Sequence, residues 1–246
     1  MIAKGTSPMI DLRCGDCLQI LPTLPSNSVD MILCDLPYGE VTACEWDHGL
    51  PLDLLWKEYH RICKGCIVLF ASQPFTTTLI ASNLSNFRYC WVWKKNFSTN
   101  FYHAKHMPLR NTEDICVFGR GKYYPQKSEG HIPTQSARGE STNGLYFGTN
   151  TRNSDGGETT RYPTTVLEFS VVDPKKRVHS TQKPVDLLSY LIRTYTDEGD
   201  IVLDNAMGSG STLVACAETG RSGIGIEISP SFFDFAQQRV FKEGTR

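Results

Sequence analysis

The chain has 246 residues, 25 Lys and Arg against 26 Asp and Glu, and 40% hydrophobic and 21% charged residues. That ordinary globular balance excludes a disordered tail, a collagen-like repeat and a supercharged protein. The length suits one α/β domain with an insertion, or at most two small domains, with a core able to fold without staples.

No segment nears the ~20 consecutive apolar residues of a membrane span. The opening MIAKGTSPMIDLR lacks the apolar stretch of a secretory signal. Nine cysteines are present, with Cys34, Cys90, Cys116 and Cys216 in apolar segments. They read as reduced, mostly buried thiols of a cytoplasmic protein. Charge is unevenly spread: Trp91–Ser180 holds 13 Lys and Arg against 8 Asp and Glu, leaving 12 against 18 elsewhere. A basic middle in an acidic chain is a footprint for a polyanion such as nucleic acid.

In chain order, Met9–Arg13 is a short apolar–polar run and Cys17–Leu24 fits one or two helical turns. Val29–Cys34 is a continuous apolar run ending at the turn Asp35-Leu36-Pro37-Tyr38-Gly39, as expected of a strand buried on both faces of a parallel sheet. Leu52–Cys63 has helical spacing, with Leu54, Leu55, Tyr59 and Ile62 on one side. Cys66–Phe70 is the next buried strand and Phe75–Leu84 the next helix. Tyr89–Trp93 and Asp114–Phe118 read as a strand pair joined by a polar loop.

From Gly119 to about Arg161 the chain turns rich in Gly, Ser, Thr, Asn, Tyr and Arg. A stretch of that length without aliphatic periodicity is a functional or mobile insertion. The α/β rhythm then resumes: helix Pro184–Tyr195, with Pro184 in the first turn, strand Ile201–Leu203, helix Ser211–Thr219, strand Gly223–Ile226 and helix Pro230–Val240. The organisation is thus a first half at 1–118, an insertion at 119–170 and a second half at 171–246, the two halves sharing one α/β domain with a mostly parallel sheet and helices on both faces.

Two turns carry chemistry. Strand Ile201–Leu203 ends in Asp204, followed by Gly208 and Gly210 and then a helix, and Glu227 closes the next strand 19 residues after Gly208. This is the βαβ logic of a nucleotide-like cofactor: glycines let the backbone approach, and the second acidic residue bonds ribose hydroxyls. Leu213 breaks the dinucleotide fingerprint. A carboxylate at Asp204 would repel a pyrophosphate but suits a cationic ligand, which favours S-adenosyl-L-methionine over NAD. In the other turn, Asp35 and the Leu36 carbonyl form a pair of acceptors for an exocyclic amino group, and Tyr38 a ring to stack on the base. Two acceptors would localise the nitrogen lone pair, so catalysis there would be by orientation and preorganisation.

These motifs resemble an amino-group DNA methyltransferase in which the catalytic segment precedes the cofactor segment. Asp35-Leu36-Pro37-Tyr38 resembles the family's D-P-P-Y motif, with Leu36 in place of its first proline. His179-Ser180-Thr181-Gln182-Lys183-Pro184 resembles H-P-T-Q-K-P near the cofactor. Leu203–Thr212 resembles L-D-P-F-x-G-S-G-T-T, with Asn205-Ala206 in place of Pro-Phe, and Gly225-Ile226-Glu227-Ile228 resembles the ribose-binding G-x-E-I. Gly15-Asp16 resembles the G-D that meets the cofactor adenine, while Trp93-x-Lys95 and Asn111–Ile115 resemble segments around the target-base pocket.

The resemblance implies a Rossmann-like class I methyltransferase fold. It implies a catalytic turn of Asp35, Leu36, Pro37 and Tyr38. It also implies an S-adenosyl-L-methionine site formed by Asp16, Asp35, Lys183, Asp204, Ala206, Gly208, Gly210, Ser211, Thr212 and Glu227, without a metal. The partner implied is DNA with a flipped-out base, and two copies pairing as a homodimer would fit relatives. An Asp-initial turn points to adenine N6, a Ser-initial one to cytosine N4; cytosine N4, an RNA base and a catalytically silent DNA-binding module are the alternatives.

The insertion then reads as a target-recognition region. Arg120, Lys122, Lys127, Arg138, Arg152 and Arg161 would meet phosphates or guanine edges, and Tyr123, Tyr124, Tyr146, Phe147 and Tyr162 would stack or wedge. Competing sites are weaker. Cys14/Cys17 and Cys63/Cys66 form two C-x-x-C pairs of the zinc type, but one brackets the Gly-Asp motif and the other spans a helix–strand turn. His103-x-x-His106 has no carboxylate partner in sequence, and Ser211 belongs to the glycine turn rather than to a triad.

Overall fold

A computed structural model describes residues 8–38, 49–141, 150–173, 175 and 182–243, with 137–153 as backbone only. The main unit starts with β1 (Ile10–Cys14), α1 (Cys17–Ile20), β2 (Val29–Cys34), α2 (Leu52–Ile62), β3 (Cys63–Ala71), α3 (Phe75–Ser82), β4 (Phe87–Thr99) and β5 (Arg110–Phe118). After the short strands β6 (Ala137–Ser141) and β7 (Asn150–Ser154) come β8 (Val166–Glu168), α4 (Val185–Tyr195), β9 (Ile201–Asp204), α5 (Ser211–Glu218), β10 (Ser222–Glu227) and α6 (Pro230–Glu243).

Eight strands form one sheet in the order β1-β10-β9-β2-β3-β5-β4-β8. β1, β10, β9, β2 and β3 run parallel. β5 is antiparallel to β3 and β4, and β8 is parallel to β4. The central strands alternate between two cores. Ile32, Cys34, Ile67 and Leu69 face one cluster with Leu55 and Tyr59 of α2; Met31, Leu33, Val68 and Phe70 face the other with Leu188 and Ile192 of α4. That period-2 partition between two apolar faces is why these runs are continuously apolar.

Strand order reverses between β2 and β9. From β2 the chain moves by α2 outward to β3; from β9 it moves by α5 the other way to β10. A crevice opens at the carboxyl ends of strands where such a reversal occurs. Asp35 and Asp204 both stand there, at the ends of neighbouring strands that pair Met31 with Val202 and Ile32 with Leu203.

Several sequence expectations are corrected. β3 begins at Cys63, three residues before the expected strand, because Val29 already pairs with Cys63 across an irregularity that ends at Met31–Cys66. Gly65 lies inside that irregularity, and a Cβ there would stand 1.9 Å from the Asp30 carbonyl oxygen. On α2 the buried face is Leu55, Trp56, Tyr59 and Ile62, while Leu54 is exposed; Trp56 lies on the other flank of the stripe. Pro184 is the N-cap of α4 rather than its first helical residue. β4 and β5 extend well past the expected strand pair, so much of the presumed polar loop is a two-stranded ribbon.

Contacts divide the chain into two compact units, residues up to Tyr124 with those from Thr165 onward, and Pro125–Thr164. The second is narrower than the insertion drawn at 119–170, because Val166–Glu168 pairs with Val92–Lys94 in the main sheet. It holds the β6–β7 pair, two strands that polar composition hides from a sequence reading. In this unit Lys127 lies 4.4 Å from the Tyr162 ring centroid. Arg161 donates from its guanidinium to the carbonyls of Glu158, Thr160 and Ile132, fastening the unit's backbone.

Candidate active site

Asp35 follows β2 directly, and both of its carboxylate oxygens are engaged. The Tyr38 hydroxyl donates to Oδ1 at 2.9 Å, and the Lys183 ammonium donates to Oδ2. Glu113 of β5 offers a second acceptor to both: Tyr38 Oη lies 3.1 Å from Glu113 Oε1 and Lys183 Nζ 3.0 Å from it. Lys95 of β4 closes the group at 2.6 Å from Glu113 Oε2.

Aromatic rings wall the cluster. Tyr38 stacks on Phe75 with centroids 5.1 Å apart, so one of its faces is already covered by protein. Lys183 stands 5.0 Å from the Phe70 ring centroid and Lys95 4.7 Å from that of Trp93, placements in which a ring face favours a cation. Leu36 is buried in the core.

The electrostatics follow from two carboxylates and two ammonium groups held together in a largely buried cluster. Burial pushes the Asp35 carboxyl above its usual range, and Glu113 adds to this against the pull of Lys183 and Tyr38. Burial also opposes the charge of Glu113, but Lys183 and Lys95 outweigh it and hold that carboxyl below the usual range. For Lys183 burial is outweighed by Asp35 and Glu113, so its pKa rises and it stays charged. Burial, with Asp35 and Glu113, lifts the Tyr38 phenol well above its ordinary value, leaving it a hydrogen-bond donor.

The glycine turn forms the other wall. Asp204 ends β9, buried; burial pushes its pKa up to about 6, against hydrogen bonds from Thr212, the Ala206 N–H and the Cys34 thiol. Gly210 has φ +74°, and a Cβ there would meet Val240 at 3.0 Å and Ala236 at 3.2 Å, so both the backbone and the packing of α6 require glycine. Glu227 ends β10 and accepts from the Gly208 N–H and the Ser229 N–H, each at 2.9 Å. Asp16 caps α1, accepting from the Leu18 N–H at 2.9 Å.

Thus Asp35, Tyr38, Lys183, Asp204, Gly208, Gly210 and Glu227 stand on the carboxyl rim of the parallel strands with Asp16. Ser211 accepts from Arg239 of α6 at 2.9 Å, and Thr212 is buried beside it. Ala206 packs partly buried on the core. Asn205, in the usual proline position, is buried and accepts from the Tyr59 hydroxyl at 2.5 Å.

Gly39, Tyr146, Phe147 and His179–Thr181 lie outside the described residues, and no side chain is described for Arg138 or Arg152. Lys122 is corrected: it stands at the opposite rim, bonded to Asp197 and to Asp200, the residue before β9. The two C-x-x-C pairs are also at opposite rims, one after β1 and one at the start of β3. Among the described residues no group of three or more His, Cys, Asp or Glu side chains could hold a metal ion, and no helix is long and apolar enough to cross a membrane. The sequence reading missed Phe75 and Phe70, whose ring contacts depend on packing between elements and leave no local motif.

The chain is 28% identical to the type II methyltransferase M.HpaI of Haemophilus parainfluenzae over 94% of its own length and 74% of that protein's. Its fold is similar to that of M1.HpyAVI, solved in complex with SAM, with a TM-score of 0.64, 24% identity, and coverage of 94% of this chain and 99% of that one. It is also similar to the cytosine-N4-specific PvuII DNA methyltransferase, with a TM-score of 0.66, 14% identity, and coverage of 98% and 95%. The sequence profile of the DNA methylase family, the N6/N4 methyltransferases, matches residues 29–238, and the chain belongs to that family.

Proposed function

We propose that the chain transfers a methyl group from S-adenosyl-L-methionine to the exocyclic N6 of adenine in DNA. The observation that carries this reading is that the Asp35 turn and the Asp204 turn follow neighbouring, paired strands and so stand side by side at one rim of the sheet. The donor set fits the cofactor. Asp16, Asp204 and Glu227 supply negative charge suited to an ammonium, a sulfonium and ribose hydroxyls. Gly208 and Gly210 keep the backbone bare, and Lys183 is the cation suited to a carboxylate. M1.HpyAVI, crystallised with SAM, has the same fold.

When bound, the cofactor supplies an electrophilic methyl group. The chain's residues do the rest. A duplex base must leave the stack to reach the crevice. Asp35 and the Leu36 carbonyl then accept the two amino hydrogens, which turns the nitrogen lone pair toward the methyl group. Tyr38 keeps its hydroxyl on Glu113 when the amine takes its place on Asp35. The nitrogen sheds a proton after transfer, and Asp35, with its raised pKa, is placed to receive it. These are orientation and electrostatic contributions.

Adenine rather than cytosine rests on the aspartate that opens the turn. Cytosine N4 is the second reading, favoured by the fold shared with the PvuII enzyme. Expression in a host without DNA methylation, followed by sequencing of modified bases, tests both. N6-methyladenine at one short sequence supports the proposal. N4-methylcytosine transfers it to the second reading, and unmodified DNA from cells holding folded, cofactor-binding protein overturns it.

A further inference from the structure

We propose that the tip of the β4–β5 ribbon, centred on Phe101 and Tyr102, is a wedge that enters duplex DNA beside the extruded base. This rests on the DNA-modifying reading above and assigns a role to a segment outside the catalytic crevice.

Position is the first argument. β5 runs antiparallel to β3, with Asp114 opposite Ala71 at the end of β3. Arg110 lies four residues further along β5, so the ribbon overhangs the carboxyl rim by about 13 Å at 3.3 Å per residue. The same ribbon supplies Glu113 and Lys95 to the Asp35 cluster. Its base is therefore a wall of the site, and its tip stands over the side from which a base must arrive.

Composition is the second. From Tyr89 to Thr112 there is no acidic residue, and the turn carries Lys105 and Arg110 with His103 and His106. Tyr102 is 100% exposed and Phe101 58%, and Met107 is exposed beside them. Bare aromatic surface among cations, without acids, complements a polyanion that also offers base faces.

Order is the third. Asn100 sits at φ +74° and turns the chain. Its side-chain amide donates to Met107 Sδ at 3.1 Å. The N–H groups of His106 and Met107 both donate to the His103 carbonyl. Phe97 buttresses Phe101 at 6.1 Å between centroids, and Arg110 fastens the ribbon to Ser72 at 2.9 Å. Tyr102 is thus held out by a formed turn, so little ordering is left for binding. A side chain inserted between base steps offsets the unstacking that extrusion costs.

The test compares wild type, Tyr102→Phe, Tyr102→Ala and the double variant Phe101→Ala/Tyr102→Ala in single-turnover methyl transfer. Substrates are a synthetic duplex carrying the sequence modified in cells, the same duplex with an abasic site opposite the target, and the single strand. The expected result is a loss of at least about fivefold on the paired duplex for Tyr102→Ala, more for the double variant, and little loss for Tyr102→Phe. The abasic duplex and the single strand should lose less than about twofold, since neither needs a partner base displaced. Equal losses on all three substrates, or none, overturn the wedge while leaving the transfer activity intact. A change of oligomeric state by light scattering with unchanged duplex preference also overturns it and marks the tip as a contact between copies. Wild-type protein that binds cofactor but methylates none of the three removes the DNA-modifying reading and the wedge with it.

Discussion

The Lys183 ammonium bonds the carboxylate of Asp35 across 148 residues of sequence. One residue precedes the α4 helix of the second half, and the other follows the second strand of the first half. The same ammonium holds Glu113, so the Asp35 carboxylate sits inside a balanced cluster of two acids and two lysines.

Asp35→Ala removes one of the two acceptors proposed for the amine and leaves the glycine turn in place. Cofactor binding by calorimetry should stay within a few-fold of wild type. Methyl transfer to DNA should fall by at least 10²-fold, the scale for losing a preorganised polar contact in a dry site. Transfer near the wild-type rate contradicts the amine-orienting role.

The cluster also sets a pH dependence. Protonated Asp35 loses acceptor strength, and burial with Glu113 raises its pKa, so transfer should fall with decreasing pH at values above the ordinary carboxylate pKa of about 3.9. Glu113→Gln removes a raising charge and leaves Lys183 to Asp35 alone. The acid limb of the kcat profile should then move to lower pH. An unmoved limb, or one moved upward, contradicts the coupling.

Asp204 makes stability depend on pH. Its folded pKa of about 6 lies above the unfolded value near 3.9. Such a group favours the folded state below the unfolded pKa, and that contribution is lost as pH rises through the folded one. Asp204→Asn should therefore gain stability relative to wild type as pH rises from 4 to 7, read from denaturant midpoints, while affinity for the cationic cofactor falls. A gain that shrinks with pH contradicts the sign.

Tyr59→Phe leaves Asn205 Oδ1 buried without its donor. The cost should be about 1–3 kcal/mol of unfolding free energy, with weakened cofactor binding, because Asn205 lies next to Asp204 in the turn. An unchanged denaturant midpoint contradicts it. Gly65→Ala at the far rim, where the Cβ would meet the Asp30 carbonyl at 1.9 Å, should cost about 1–3 kcal/mol. Cofactor affinity of the folded fraction should be unchanged there.

What was legible in the sequence had local cause. Met31–Cys34 is apolar at every position because each face of β2 meets a core, and Gly210 is glycine because backbone and packing both demand it. What was not legible depends on distant partners. Asn111–Ile115 resembles a base-pocket segment, but nothing local singles out Glu113 in it until pairing brings its carboxylate to Tyr38, 75 residues away. Lys122 reads as a free cation until Asp197 and Asp200 meet it at the far rim. The outer halves of β4 and β5 pack on no core, so Asn96–Thr99 offers no apolar period to announce a strand.

The central claim is that the Asp35 turn and the Asp204 turn form one reaction site. A crystal structure with S-adenosylhomocysteine and a duplex carrying the modified sequence tests it most directly. The account predicts the thioether sulfur lodged between the two turns, with an extruded adenine whose amino nitrogen bonds Asp35 and the Leu36 carbonyl. A cofactor bound away from the Asp35 turn, or a target base held elsewhere on the protein, would contradict it.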